Sequence, residues 1–309
     1  MKNFRTMTTA AFVFLGLFLC SQTVFALPLS LLGINDDTDQ LVLFLGDTDG
    51  EVEKTVVTDG VPDEIEDLVW AGGGTYYGIQ SFNKNKNSTK TSQLYKFELN
   101  EDFTAADIST VGDAFSGTDI DAIEYVDGVL YTMDNNKDEL ITIGTDGTVL
   151  DRQEVRSLGL KKVEGLAYRD GLLYASDTKN DGQSTRTTSR TDADSSLFSI
   201  NISDGVGNLD GDDVQYIGQI GFGQVEALTF SDGLLYGASD IHNLFFNIDL
   251  TTGAGISLAE GWKGSDIEGI AVVPSGDNTA TTPEPATMFL LGSGLAGIAG
   301  LKRKFAKKN

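Results

Sequence analysis

The chain has 309 residues, and its 46 acidic and 22 basic residues give it a formal net charge of −24. A protein this acidic repels nucleic acid and anionic lipid, so the composition excludes a DNA- or RNA-binding protein and favours cationic partners. The sequence has one histidine, His242, which excludes a histidine-based zinc site because such a site needs several nitrogen or sulfur ligands.

Residues 1–26 have the three parts of a secretory signal peptide. Lys2 and Arg5 form the positive start, residues 10–19 form the apolar stretch, and Ala26 ends a small-residue cleavage site. The apolar run is shorter than the ~20 residues that a membrane-spanning helix needs, which argues against a retained anchor. Cleavage after Ala26 removes Cys20, the one cysteine, so the exported protein would carry no disulfide.

A short motif recurs five times in the rest of the chain: a β-branched residue, an acid, one free position, and then Leu or Ile. The copies begin at Ile65, Ile120, Val163, Val225 and Ile267. Self-similarity at a period of roughly 40–60 residues is typical of repeat architectures. Each copy therefore opens the same short strand, and the five acids should occupy equivalent places in one assembly.

Each motif opens a unit of four short predicted strands. In the fourth copy, residues 225–230 and 234–238 are apolar runs separated by Asp232-Gly233, a strong signal for a hairpin turn. Two further strands are predicted near residues 243–248 and 256–258, and no convincing amphipathic helix interrupts the pattern. Repeated units of four antiparallel strands are typical of β-propeller blades.

The two ends of residues 27–274 complete one another. Residues 40–57 match only the outer half of a unit, and residues 267–273 match only its first strand. Joined, they form one composite blade, which hides the edge strands that an open ring would expose. We therefore predict a single all-β domain, a five-bladed β-propeller closed between its N- and C-terminal strands. Six blades, or a sandwich that merely repeats, are the alternatives.

The first strand of each blade lines the central channel of a propeller, so the motif acids should ring one mouth of that channel. The second strands of three blades end in further acids on the same face. The predicted site comprises Glu66, Asp121, Glu164, Glu226 and Glu268, together with Asp134, Asp177 and Asp240. Converging carboxylates repel one another, and Ca²⁺, which takes about 6–8 oxygen ligands, relieves that repulsion. The sequence thus predicts an axial calcium site; the alternative is that each acid caps backbone amides and serves the fold alone.

Several segments outside the repeat also carry polar or charged side chains. Residues 208–213 and 47–51 place oxygen-bearing side chains around a glycine, as calcium loops do, but lack the spaced terminal Glu of an EF-hand. Residues 81–92 and 177–196 join second and third strands and hold much of the basic charge. We interpret these two as surface insertions, with a recognition loop as the alternative.

Nucleophilic catalysis finds little support in the sequence. A Ser-His-Asp arrangement would have to use His242, and no Gly-x-Ser-x-Gly elbow is present to carry the serine. Hydrolysis by paired carboxylates stays open, because two acids can act as acid and base. Whether the protein is an enzyme is therefore left open, and the sequence favours a non-catalytic role.

The C-terminal region has three parts in a fixed order. A polar tether, residues 275–282, precedes Pro283-Glu284-Pro285, an apolar run at residues 286–301 and a basic tail. This ending resembles the PEP-CTERM sorting signal of exopolysaccharide-producing Gram-negative bacteria. The resemblance implies a transmembrane helix at residues 286–301, recognition and processing of residues 283–309 by an exosortase, and delivery to the cell surface or the extracellular matrix. A plain membrane anchor is the alternative.

The repeats resemble the esterase-like phytase and SdiA-regulated propeller families, in which similar Asp-x-Glu-Gly units begin inner strands. Residues 266–269 have that form here. A phosphate-rich substrate would call for clustered Lys and Arg, and the repeated positions hold none, so phytase activity is not expected. The resulting hypothesis is a binding or scaffold protein, associated with matrix polysaccharide and calcium. The alternative is a metal-dependent hydrolase acting at the acidic mouth.

Overall fold

The computed structural model describes residues 29–46, 50–83, 90–178, 194–259, 262 and 267–274. The predicted signal peptide with its cleavage site at Ala26, the tether and the sorting segment lie outside these residues. So do residues 47–49 of the candidate calcium loop at residues 47–51 and the middle parts of the two insertions. Among the residues described, no helix is long and apolar enough to cross a membrane.

Twenty strands make up almost all of the regular structure in the described part of the chain. In chain order they are β1 (Leu29–Asn35), β2 (Gln40–Gly46), β3 (Val52–Asp59), β4 (Ile65–Gly72), β5 (Thr75–Asn83), β6 (Lys90–Leu99), β7 (Ala106–Ser116), β8 (Ile120–Val126), β9 (Val129–Asp134), β10 (Glu139–Gly144), β11 (Val149–Glu154), β12 (Val163–Arg169), β13 (Leu172–Asp177), β14 (Asp194–Asn201), β15 (Val214–Gly223), β16 (Val225–Ser231), β17 (Leu234–Ser239), β18 (Leu244–Ile248), β19 (Gly255–Ser257) and β20 (Ile267–Val272). Two short 3₁₀ helices, Arg156–Leu158 and Val206–Asn208, lie in loops.

The strands form five antiparallel sheets of four strands each. Four sheets are continuous in sequence: β4 to β7, β8 to β11, β12 to β15, and β16 to β19. The fifth has the order β20-β1-β2-β3, so the last strand is hydrogen-bonded to the first. The innermost strands pack in a closed circle, β4 beside β8, β8 beside β12, β12 beside β16, β16 beside β20, and β20 beside β4. The prediction of a five-bladed propeller with a composite closing blade is confirmed.

The hydrophobic core lies between the blades. Each of five clusters of buried side chains joins two neighbouring sheets within the described residues. Between the closing sheet and the next, for example, Leu32 and Leu41 pack with Ile65 and Phe97. The motif's β-branched residue and its Leu or Ile are buried in these clusters, which is why the sequence repeats them.

The turns between first and second strands follow from the Asp-Gly pairs. Asp127 and Gly128 have φ values of 50° and 92°, and Asp232 and Gly233 have 48° and 79°. Two successive positive φ values define the turn whose twist matches a β-hairpin, and Asp and Gly tolerate them best. These hairpins fix the register of each inner strand and therefore the position of its acid.

The structure differs from the sequence prediction in two places. Strand β1 is the second strand of the closing blade, whereas the sequence pattern assigned only the outer half of that blade to the N-terminal region. Parts of both insertions are strands: β5 continues to Asn83, β6 begins at Lys90, and β14 begins at Asp194. The hydrogen bonds between strands are made by backbone groups, which Ser, Thr and Asn residues carry as apolar residues do. Amino-acid composition therefore does not reveal these strand ends.

Candidate functional site

Each motif acid lies at a β-bulge near the start of an inner strand. In the pairing of β12 with β13, Val163 faces Asp177 and Gly165 faces Ser176, so Glu164 has no residue opposite it. The same shift of register occurs at Glu66, Asp121 and Glu226, and β20 is shifted against β1 around Glu268. A bulge re-aims the side chain of its extra residue. Here it directs five acids toward the axis.

The five motif acids line one cavity of about 330 Å³ where the inner strands begin, and we call this cavity the acidic mouth. Its lining consists of Asp36, Glu64, Glu66, Ser81, Asn83, Lys90, Asp119, Asp121, Lys162, Glu164, Glu226 and Glu268. Eight of these residues are carboxylic acids and two are lysines. The structure therefore brings together acids that are distant in sequence, in a strongly anionic cavity.

The third position of each motif is small because neighbouring inner strands approach closely there. A Cβ on Gly165 would lie 2.9 Å from the backbone of Ala227 and Leu228, and one on Gly269 would lie 2.7 Å from the nitrogen of Leu68. The exception is Asp67. Its buried carboxylate spans the same junction by accepting the N–H of Ile123 at 3.0 Å. Burial raises the pKa of Asp67 well above its usual range, and this backbone N–H opposes the rise.

At three of the junctions between blades, a polar side chain of one blade accepts a hydrogen bond from the inner strand of the next blade. The N–H of Ile120 donates to Ser92 Oγ, that of Val163 to Asn135 Oδ1, and that of Val225 to Ser195 Oγ. Each donor belongs to the residue just before a motif acid. These hydrogen bonds therefore hold the bulges, and with them the acids, in place.

Three buried carboxylate oxygens of the acidic mouth have no hydrogen-bond partner among the described residues: Asp121 Oδ1, Glu164 Oε2 and Glu226 Oε2. The second oxygen of each is bonded. Asp121 Oδ2 accepts from the amide of Asn135 at 2.7 Å, Glu226 Oε1 accepts from Gln224 at 3.4 Å, and Glu164 Oε1 pairs with Lys162. An unsatisfied buried carboxylate oxygen is costly, so the arrangement favours a donor or a cation at this position.

Two lysines that the sequence analysis did not assign to the site line the acidic mouth. Lys90 pairs with Asp119, and Lys162 pairs with Glu164. A signal for Lys162 exists in the sequence, whereas Lys90 lies in the insertion at residues 81–92. The residue two places before each motif acid is polar in every copy, and Glu64, Asp119 and Lys162 occupy that place in three of them. In a strand, residues two apart share a face, so this position also faces the cavity.

Burial and mutual repulsion raise the pKa values of three of the five motif acids. Burial, then the charges of Glu268 and Asp240, raise the pKa of Glu226 to about 9, and Lys162 opposes the rise. Burial, then Asp119, raises the pKa of Asp121 to about 7. The pKa of Glu66 is raised well above its usual range, first by burial and then by Asp121 and Glu268. The ring therefore holds protons near neutral pH.

The three acids at the ends of second strands do not line the acidic mouth. Asp134 accepts the N–H groups of Asp119 and Asn136 through Oδ1, and Asp177 accepts the N–H of Lys161. Asp240 lies close enough to Glu226 to raise the pKa of that acid. Asp134 and Asp177 thus cap the loops that lead into inner strands.

No group of three or more Asp, Glu, His or Cys side chains in the described part of the chain is arranged to hold a metal ion. In the loop at residues 208–213, the carboxylates of Asp210 and Asp213 accept the N–H groups of Asp212 and Asp210 respectively. The axial calcium site stays a prediction.

His242 contacts a serine, but the hydrogen bonds oppose a nucleophile–base pair. Ser239 Oγ is buried and donates to the carbonyl of Gly223 at 2.6 Å. Because a hydroxyl has one proton, His242 Nδ1, 3.0 Å away, must donate to Ser239 Oγ. A general base would have to accept that proton instead. The ring of Phe222 packs edge-on against the imidazole, in keeping with a structural role.

Residues 281–304 match the PEP-CTERM protein-sorting motif. The chain therefore carries the signal of an exported protein that an exosortase sorts to the cell surface of Gram-negative bacteria. The motif contains the predicted Pro283-Glu284-Pro285 element. The spanning helix at residues 286–301 and the cleavage site at Ala26 stay predictions.

No curated protein matches the chain. Solved structures resemble it at low identity. A chain of the nidogen/laminin complex is 14% identical to this chain, with a TM-score of 0.47, and the alignment covers 80% of this chain and 98% of that chain. The glutaminyl cyclase of Myxococcus xanthus is 14% identical, with a TM-score of 0.38, and the alignment covers 68% of this chain and 70% of that chain. The PQQ-bound aldose sugar dehydrogenase of Streptomyces coelicolor is 15% identical, with a TM-score of 0.40, and the alignment covers 77% of this chain and 83% of that chain. Similarity at this level carries no inference about function.

Proposed function

We propose that this exported propeller is a non-catalytic binding or scaffold protein of the cell surface that takes up a cation, Ca²⁺ in the first instance, at the acidic mouth. The observation that carries the proposal is the set of three buried carboxylate oxygens without a partner, on Asp121, Glu164 and Glu226. They belong to three different blades and line one cavity. A cation in that cavity would reduce the repulsion between their charges, and the water molecules that it coordinates would donate to the unpaired oxygens.

Protons and two lysines now offset the charge of the ring. Since the pKa of Glu226 is raised to about 9 and that of Asp121 to about 7, cation uptake has to displace protons from these acids. The affinity for the cation should therefore rise with pH. The carboxylates of the described residues do not form a group of three that is arranged to hold a metal ion. Ca²⁺ tolerates wider spacing because water molecules complete its coordination.

Association with matrix polysaccharide is the second part of the proposal. It is supported by the PEP-CTERM motif, which belongs to exported proteins of exopolysaccharide producers. An anionic polysaccharide would be repelled by a chain of net charge −24, and a bound divalent cation could bridge the two. Glycan binding should accordingly depend on Ca²⁺.

Calorimetric titration of residues 27–282 with Ca²⁺ tests the site. This segment contains all five sheets, and its last strand pairs with its first, so it forms a closed folding unit. We expect a dissociation constant on the order of 0.1–1 mM, as in extracellular calcium modules. Glu164→Gln and Glu226→Gln should each weaken binding by about tenfold. Glu53→Gln, on the exposed face of β3, is the matched control and should bind normally.

Two outcomes would reject parts of the proposal. Absence of calcium binding at millimolar concentration would reject the cation site. A screen with ester, phosphate and glycoside substrates tests the hydrolase alternative. Calcium-dependent turnover that Glu164→Gln and Glu226→Gln abolish would show an enzyme and overturn the binding role. Calcium-dependent binding on a glycan array, without turnover, would support that role.

A further inference from the structure

The inner strands carry a second repeated feature, at the opposite end of the channel from the acids. Four residues after the motif acid, four of the five strands have an aromatic residue, and the fifth has valine. These residues are Trp70, Tyr125, Tyr168, Phe230 and Val272. All five line one cavity of about 420 Å³, which we call the aromatic mouth. Four residues of strand span about 13 Å, and the two mouths share no lining residue.

Two acidic side chains line the aromatic mouth, Glu124 and Asp127, and no lysine, arginine or histidine belongs to the lining of this cavity among the described residues. Burial raises the pKa of Glu124 to about 8, so the negative charge of the cavity at neutral pH lies on the exposed Asp127. The hydroxyls of Tyr125, Tyr168 and Thr229 are hydrogen-bond donors among the lining side chains. The indole N–H of Trp70 donates to the carbonyl of Gly73, and both oxygens of Glu124 accept backbone N–H groups, from Tyr125 and Tyr168. The cavity therefore offers aromatic rings, three hydroxyl groups and the charge of Asp127.

One of these rings already attracts a cation from the protein itself. The guanidinium of Arg169, which does not belong to the cavity lining, lies 5.5 Å from the ring centre of Phe230 and donates to the carbonyl of Gly233. A positive charge within about 6 Å of an aromatic ring face is attracted by the ring's quadrupole. The Phe230 ring of the aromatic mouth is therefore already in contact with a cation.

We propose that the aromatic mouth binds an organic cation with a methylated or quaternary ammonium group. Such a group carries positive charge, fits apolar walls and needs no hydrogen-bond donors. An anion would be repelled by Asp127, and a neutral ligand would gain nothing from the attraction of the rings and of Asp127 for positive charge. The site is independent of the cation site at the acidic mouth, and Ca²⁺ has no suitable ligand set among aromatic rings.

Intrinsic fluorescence can report on this site directly. The chain has two tryptophans; Trp262 is 1% exposed, and Trp70 lines the aromatic mouth. Residues 27–282 would be titrated with tetramethylammonium, with choline, and with the neutral alcohol in which carbon replaces the nitrogen of choline. We expect the two cations to change the Trp70 emission and the neutral alcohol to bind at least about threefold more weakly. Phosphatidylcholine vesicles in a parallel titration would show whether a lipid headgroup is also accepted.

The four aromatic residues also pack against the cores between blades, so the variants must preserve the apolar volume. Phe230→Leu removes a ring and keeps an apolar side chain; it should weaken tetramethylammonium binding by about threefold to thirtyfold in calorimetry. Arg169→Gln removes the competing cation and should tighten it. Tyr216→Leu, at a residue 53% exposed and outside the cavity, is the matched control and should bind as the unaltered protein does.

Three results would overturn the proposal. The first is equal affinity for choline and its neutral analogue, which would show an apolar pocket without preference for charge. The second is no change in binding on Phe230→Leu in a variant whose melting temperature shows that it is folded. The third is loss of tetramethylammonium binding in Glu226→Gln, which would place the cation at the acidic mouth. Failure of calcium binding would leave these results unaffected.

Discussion

A carboxyl group buried among other carboxyl groups is stable while it keeps its proton. Burial, then the charges of Glu268 and Asp240, raise the pKa of Glu226 to about 9, whereas the pKa of a Glu in an unfolded chain is about 4.3. Between these values the folded state binds more protons than the unfolded state. The free energy of unfolding therefore falls as pH rises through this window, provided no cation replaces the proton.

Glu226→Gln should remove this penalty while keeping the shape of the protonated acid. We expect the free energy of unfolding to increase by about 1–2 kcal/mol near pH 8 and to change little near pH 5. Urea denaturation at both pH values, without divalent cations, measures the difference. Glu53→Gln, at an exposed position, should show no such pH dependence. An equal loss of stability at both pH values would contradict the expectation. The same substitution should stabilise the cation-free protein and weaken its calcium binding.

Asn135 holds two blades and one ring acid together. Its amide nitrogen donates to Asp121 Oδ2 and to the carbonyl of Val163, and its amide oxygen accepts the N–H of Val163 at 3.0 Å. Asn135→Ala leaves these buried groups without partners, so we expect the free energy of unfolding to fall by about 2–3 kcal/mol. Thermal or urea unfolding measures it. Asn136→Ala, which removes one exposed bond to the carbonyl of Gly117, should cost less than about 1 kcal/mol. Equal costs for the two variants would argue against the bridging role.

At the scale of the element, the start of each inner strand combines a bulge with a close approach to the next inner strand. The bulge lets the β-branched residue and the Leu or Ile stay in the core while the acid between them faces the axis. The small third residue lets the neighbouring backbone approach, as Gly165 does against Ala227 and Leu228. One four-residue motif thus sets core packing, blade spacing and the direction of the charge.

Gly165→Ala tests the blade spacing. The added Cβ would lie 2.9 Å from backbone atoms of β16, closer than nonbonded carbon atoms pack, and backbone cannot move aside as a side chain can. We expect a loss of about 1–3 kcal/mol in the free energy of unfolding. The matched control is Gly211→Ala, because nothing lies within 4 Å of a Cβ built there. If both substitutions proved neutral in chemical denaturation, the inner strands would have to be able to separate at little cost.

The sequence predicted the repeat, the four strands per blade and the five ring acids, because core packing and hairpin turns repeat in register with the motif. The sequence did not predict the β-bulges. A bulge depends on how the start of the inner strand pairs with the end of the second strand, far from the hairpin turn that the sequence reveals. Lys162 was missed because it is the only basic residue at the position before the motif, which is acidic or neutral in the other four copies. Lys90 was missed because it comes from an insertion and not from the repeat. The sequence also predicted Asp134 and Asp177 at the acidic mouth, whereas their carboxylates cap loops. The alternation of side chains along a strand predicts the face on which a residue lies, but not the backbone N–H groups from which its side chain accepts hydrogen bonds.

Hydrogen bonds between β20 and β1 hold the ring of blades closed. Leu31 faces Val272 and Gly33 faces Ile270 in this pairing, and the Val273 N–H bonds the Ser30 carbonyl. The sequence indicated closure but left the second strand of that blade unassigned. Residues 29–35 come before the first recognisable copy of the repeat. No Asp-Gly turn joins them to an inner strand, because their inner strand, β20, lies at the other end of the propeller sequence.

Removal of β20 tests how far stability depends on closure. A chain of residues 27–266 keeps four complete sheets but leaves the edge of β1 unpaired and uncovers Leu32, Ile34 and Phe44 of the neighbouring cores. Exposed strand edges pair with other chains, and each blade is stable only against its neighbours. We therefore expect the truncated chain to aggregate in size-exclusion chromatography and to lose the cooperative thermal transition followed by circular dichroism. The control, residues 27–274, keeps β20 and should stay monomeric with a single transition. If the shorter chain behaved like the control, the four continuous blades would be a stable open array, and closure would contribute little to the geometry of the acidic mouth.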